Sequence, residues 1–172
     1  MNALVRTSLR LLDRLSPPPT AFAHCDIPCG IYDPHLAQIA ALTVVRMNQL
    51  IADLQAPAGG AGKEDWDKYT NSLARYITVK EEHAELVKRE VRIIWGDYFK
   101  PEHLEKHKDL HATVWNVMKL GSKCRQNVDM QAAQDLLVEV QKFAEAFWAT
   151  KDAKTARQPS RQAVGGEVVV PA

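Results

Sequence analysis

Apolar residues between positions 34 and 150 recur every three or four places, in four runs separated by helix breakers, and this spacing predicts four amphipathic helices. Asp33 can cap the first and Pro34 can open it without losing a hydrogen bond. Its stripe is Leu36, Ile39, Ala40, Val44, Met47, Leu50, Ile51 and Leu54. Pro57 and the Gly59-Gly60-Ala61-Gly62 stretch end that run. The second helix is expected over 65–95, with a seam of Trp66, Tyr69, Leu73, Ile77, Ala84, Val87, Val91 and Ile94, and Gly96 loosening the chain after it. Pro101 opens a third that reaches Leu120, with Leu104, Leu110, Val114, Val117 and Met118 available for burial and Gly121-Ser122 at its end. The fourth runs over 128–150 and carries Ala132, Ala133, Leu136, Leu137, Val140, Ala144 and Phe147.

No run is apolar all round, so the stripes have to meet one another. The expected fold is all-α, an antiparallel four-helix bundle over 34–151. Residues 152–172 have no helical period and read as a flexible C-terminal tail, although Glu167-Val168-Val169-Val170 can attach as an edge strand.

Composition narrows the function without naming it. A formal charge of +1 gives no argument for nucleic acid or an anionic membrane, so neither is expected as a partner. No apolar run approaches the roughly 20 residues that span a bilayer. Residues 1–23, MNALVRTSLRLLDRLSPPPTAFA, look unlike the rest: Arg6, Arg10 and Arg14 share one possible helical face, and Pro17-Pro18-Pro19 stop any helix. The segment lacks the uninterrupted apolar centre of a secretory signal, although Ala21-Phe22-Ala23 has small residues suited to cleavage. It reads as a removable pro-segment or address, or else as a permanent arm, and the expected compartment is the cytoplasm.

Candidate chemistry concentrates at 24–33, where His24-Cys25-Asp26-Ile27-Pro28-Cys29-Gly30 places two thiols and an imidazole ahead of the first helix. Three intervening residues between Cys25 and Cys29 make neither a thioredoxin-like pair nor half of an ordinary zinc knuckle. The third cysteine, Cys124, reads as a buried thiol. Zinc can use Cys25, Cys29 and a histidine. If cleavage exposes His24, its α-amine, the Cys25 amide nitrogen and the two thiolates can form an N₂S₂ plane, with the His24 imidazole approaching from above. Such a plane suits nickel or copper better than tetrahedral zinc. A structural bundle with idle cysteines is the remaining reading. The Glu-x-x-His pairs of a ferritin-like di-metal site are absent from the sequence. His103, His107 and His111 fall at helical spacing but read as surface or interhelical histidines. Lys63, Lys68 and other lysines near the openings can steer an anion.

The stretch from His24 to Pro34 resembles nearly the whole signature of the nickel-containing superoxide dismutases. Trp95-Gly96-Asp97-Tyr98-Phe99-Lys100-Pro101 resembles that family's turn between its second and third helices, and Phe147-Trp148 is a weaker match. The resemblance covers roughly His24 to Lys151. It implies removal of residues 1–23 by a protease just before His24, a four-helix bundle assembled as a homohexamer, and one nickel ion per subunit. The implied ligands are the His24 amine and imidazole, the Cys25 amide and thiolate, and the Cys29 thiolate. The implied reaction converts superoxide to dioxygen and hydrogen peroxide.

The same resemblance implies further roles. Tyr32 and Tyr98 would stand near the open face, screening access and supporting proton delivery, and Asp26 would help fix the hook. Where the family often has a glutamate on the first helix and an arginine on the second to hold the axial imidazole, this chain has Ala40 and His83. His83 becomes the candidate supporter of His24, with a shorter reach and a charge that is not permanent.

Overall fold

Asp33 starts the first helix by accepting a hydrogen bond on Oδ1 from the His35 backbone N–H, at 2.8 Å. The Pro34 carbonyl then receives the first helical bond, from Gln38. The computed structural model describes residues 30–172, so the pro-segment 1–23 and His24, Cys25, Asp26 and Cys29 lie outside the described residues. Helix α1 (His35–Asp53) leads to α2 (Lys63–Ile93), a π-helical turn over Ile94–Tyr98, α3 (Pro101–Lys106), α4 (Leu110–Gln126) and α5 (Met130–Ala149).

Helix α1 packs on α2 and α5, and α4 packs on the same two helices from the other side. The four long helices thus close round one core, the expected bundle. Ala40, Ala41 and Val44 of α1 meet Ala84, Val87 and Val91 of α2, Val114 and Val117 of α4, and Leu136, Val140, Phe143 and Phe147 of α5. Burying each large member stabilises the fold by about 1.5–3 kcal/mol relative to leaving it in water. The buried part of α2 begins only at Lys80, and Trp66, expected in the seam, is 45% exposed.

The third helix differs most from its expected form. It breaks at His107 (φ −117°, ψ 68°), giving the short α3 and a new start at Leu110. Helix α4 then runs straight through Gly121 and Ser122 to Gln126. Gly121 is there for packing: a Cβ at this position would stand 2.8 Å from Lys88 Cγ, so the missing side chain lets α2 and α4 approach. The end of α4 is held by Lys80 of α2. Its buried ammonium donates to the carbonyls of Cys124, of Arg125 at 3.3 Å and of Asn127 at 2.9 Å. Carbonyls at a helix C-terminus lack intrahelical partners and favour a cation. Burial pushes the Lys80 pKa down, and the charge of Glu81 opposes that.

Residues expected to form a loose tail instead make a hairpin. Strands β1 (Thr155–Pro159) and β2 (Glu167–Pro171) pair antiparallel, with Arg157 opposite Val169. Val168 and Val169 are buried, and the Gln38 side chain acts as a third strand. Its Nε2 donates to the Val169 carbonyl at 3.0 Å, and its Oε1 accepts from the Val169 N–H at 2.7 Å. Gln141 of α5 donates to the Glu167 carbonyl at 2.8 Å. The attachment foreseen for 167–170 is therefore real, and it fastens α1 to α5. A polar residue on each helix supplies the bonds that a hydrophobic pattern does not display.

Candidate metal centre

The π-helical turn is the local device that shapes this end of the bundle. Phe99 N–H bonds to the Ile94 carbonyl five residues back, at 3.4 Å. One extra residue in the turn rotates the chain beyond it, which is a common arrangement at functional sites. A Cβ added at Gly96, in the middle of the turn, would meet no atom within 4 Å. The turn buries Ile94 and leaves Trp95 37% exposed. It brings the half-buried Tyr98 ring against four others: Tyr32 at 5.6 Å between centroids, Phe147 at 4.8 Å, Phe99 at 5.4 Å and His103 at 5.6 Å, the last stacked at 23°. Tyr32 lies just before α1, beyond Gly30, whose φ of +73° is left-handed and suits glycine. The two tyrosines singled out from the sequence are therefore neighbours.

The Tyr98 hydroxyl lies 2.7 Å from Thr150 Oγ1, and Thr150 Oγ1 donates to the Phe147 carbonyl at 2.6 Å. Lys151, the next residue, holds its ammonium 5.3 Å from the Tyr98 ring centroid and 5.2 Å from that of Phe147. Thr150 and Lys151 escaped the sequence reading. The available signal was their position directly after Phe147-Trp148, where a C-terminal helix turn carries its last side chains back over the preceding one.

The remaining candidates are spread over the bundle. His83, part-buried on α2, has Nδ1 2.8 Å from the Val79 carbonyl. A carbonyl only accepts, so Nδ1 donates there, and Nε2 is the nitrogen left for another partner. Ala40 is buried in the core. The histidine stripe is dispersed by the break at His107. His103 Nδ1 accepts from the Lys100 N–H at 3.2 Å, and His111 Nδ1 accepts from Trp95 Nε1 at 3.1 Å. Among the described residues, no three His, Cys, Asp or Glu side chains converge as a metal site. Cys124 is fully buried, and desolvation pushes its thiol up to about 11, with Lys80 pulling the other way. It is a core thiol. Lys63 and Lys68 are not near this end: the length of α2 separates them from the π turn by about 46 and 39 Å, and each is paired with an acidic residue one turn away. Among the described residues, no helix is long and apolar enough to cross a membrane.

Comparison with known proteins bears on residues 19–151, which match the family described as nickel-containing superoxide dismutase. A nickel superoxide dismutase of Streptomyces coelicolor is 37% identical over 144 residues, covering 83% of this chain and all of its own. That of Streptomyces seoulensis is 33% identical over the same span. A native nickel superoxide dismutase structure is similar at a TM-score of 0.63 and 34% identity, over 74% of this chain and 99% of its own. A metal-free structure of such an enzyme is similar at a TM-score of 0.61 and 32% identity. The hairpin over 155–171 lies past the matched span.

Proposed function

The chain belongs to the family of nickel-containing superoxide dismutases, and from that premise we propose that His24, Cys25 and Cys29 hold its nickel ion once residues 1–23 are removed. The activity is the dismutation of superoxide to dioxygen and hydrogen peroxide, with nickel as cofactor. The donor set fits the metal: two thiolates, an amine and a deprotonated amide are strong donors that suit nickel and favour its higher oxidation state. Bound there, nickel would supply the one-electron couple that dismutation of two superoxide ions requires.

The protein's own groups do the rest. The thiolates of Cys25 and Cys29, the Cys25 amide and the freed α-amine of His24 would bind the metal, and Asp26 would help fix the hook. Tyr32 and Tyr98 narrow the approach, admitting a small anion and ordering water. The observation that carries this reading is the juxtaposition of Tyr32 and Tyr98 at 5.6 Å, immediately beyond the hook sequence. His83 supports the His24 imidazole through Nε2, the nitrogen not engaged with Val79. Ala40 offers no acceptor, so that support rests on one residue. Outer partners of this kind set ligand orientation and potential.

Assembly as a homohexamer, removal of the pro-segment by a separate protease and residence in the cytoplasm complete the proposal. Exposed Ile31 and Leu36 beside the hook favour coverage by another subunit. The test is intact mass joined to metal analysis of the native protein. A chain starting at His24 with about one nickel per subunit is expected from the hook chemistry. An uncleaved active protein, or a cleaved one that prefers zinc or copper, overturns it. Cys25→Ser or Cys29→Ser removes nickel and dismutation and leaves the helices intact.

A further inference from the structure

We propose that Thr150 is a positioning residue that fixes the direction of the Tyr98 hydroxyl, making Tyr98 a hydrogen-bond acceptor rather than a proton donor on its open side. This rests on the dismutase reading of the site. A threonine hydroxyl has one proton, and Thr150 gives it to the Phe147 carbonyl at 2.6 Å. The 2.7 Å contact with Tyr98 must then be made by the phenol proton, with Thr150 accepting. The phenol has no second proton. It presents only a lone pair elsewhere.

The chain Tyr98 to Thr150 to Phe147 ends on an amide carbonyl, which accepts a hydrogen bond but does not take up and pass on a proton near neutral pH. It is an anchor and not a relay. An acceptor also discriminates by protonation. Water and hydrogen peroxide can donate to the Tyr98 oxygen, whereas superoxide, an anion that only accepts, gains nothing from it. Tyr98 therefore orders protonated species at the approach, and proton delivery falls to other groups. The ring is held from the same helix end: Phe147 touches it at 4.8 Å and Lys151 stands over it at 5.3 Å.

The experiment compares wild type, Thr150→Val, Thr150→Ser, Tyr98→Phe and the double variant Thr150→Val with Tyr98→Phe. Ultraviolet resonance Raman of the tyrosine doublet, taken as a difference against Tyr98→Phe, reads the hydrogen-bonding state of Tyr98 in both nickel-loaded and metal-free protein. The expected result is a donor signature in wild type and Thr150→Ser and its loss in Thr150→Val. Thr150→Val lowers kcat/KM by about 2- to 10-fold, the range of one hydrogen bond, and Ser restores it. On the Tyr98→Phe background, Thr150→Val has no further effect. An unchanged doublet in Thr150→Val, or losses that simply add in the double variant, overturns the proposal. The Raman arm in metal-free protein stands apart from the dismutase reading, which fails separately if the wild-type protein lacks nickel or activity.

Discussion

Tyr32 and Tyr98 bring their rings to 5.6 Å between centroids, tilted by 53°, one from just before the first helical hairpin and the other from just after it. Tyr32 is set by the capped start of α1, and Tyr98 by the π turn that closes α2. The turn's extra residue is what makes the meeting possible. Removing Gly96 would return the segment to α-helical register and rotate Tyr98 by about 100°. The change is confined to the π-helical turn after Ile93, where α2 ends, so the four long helices are expected to persist. The expected outcome is unchanged far-ultraviolet circular dichroism and nickel content, with dismutation lowered at least several-fold. Full activity in the deletion protein would show that the tyrosine pair is dispensable.

Much of this was legible in the sequence because it rests on periodicity and on breakers. Four apolar stripes, Asp33 before Pro34 and the glycine loop after Pro57 each encode local geometry. The misread places have another origin. Gly121 looked like a helix end, but it is a contact with Lys88 on a distant helix, and only tertiary packing selects it. The tail looked loose because two of its main anchors, Gln38 and Gln141, are polar and lie far away along the chain. The tyrosine pair was visible as two motifs and not as one place, since the π turn has no period of its own. Thr150 was invisible because its role depends on a single proton that Phe147 claims.

The hairpin beyond the family span is a stabiliser of α1, the helix that comes directly after the hook. Truncation after Lys154 exposes the surface covered by Val168 and Val169 and frees Gln38. The burial of two valines, at about 1.5–3 kcal/mol each, and the bonds to Gln38 and Gln141 are lost together, so the truncated chain is less stable. The expected outcome is a Tm lowered by several degrees, since each 1 kcal/mol is worth about 2–4 °C in a chain of this size. Calorimetry of the truncated and full chains checks it. Nickel content stays near that of the full chain, because the family match ends at residue 151.

Cys124 gives the fold an alkaline weakness. Its pKa rises from 9.0 to about 11, chiefly through burial. Between those values the unfolded chain has released the thiol proton and the folded chain has not. The folded state then binds more protons, so stability falls as pH rises through the window and is fully present below pH 9. Urea titrations from pH 8 to 11 are expected to show a steeper decline for wild type than for Cys124→Ala. The comparison matters because Lys80, whose pKa burial lowers, contributes a slope of the opposite sign. Equal slopes in the two proteins would assign the alkaline decline to other groups.

Lys151 tests whether charge at the tyrosine pair aids the capture of an anionic substrate. Its exposed ammonium lies over the Tyr98 and Phe147 rings, so it is fixed near the approach rather than free to wander. Lys151→Gln removes the charge, and Lys151→Glu reverses it. Steering by one fixed charge acts on encounter, so kcat/KM falls by about 3-fold for Gln and further for Glu at low salt, with kcat unchanged. Raising the ionic strength toward 1 M shortens the screening length to about 3 Å, and the variants then converge with wild type. The cation–π contact also adds about 0.5–1 kcal/mol of local stability, which denaturation of each variant measures separately. A loss of kcat/KM that persists unchanged in high salt would assign Lys151 to holding Tyr98 in place and remove it from steering.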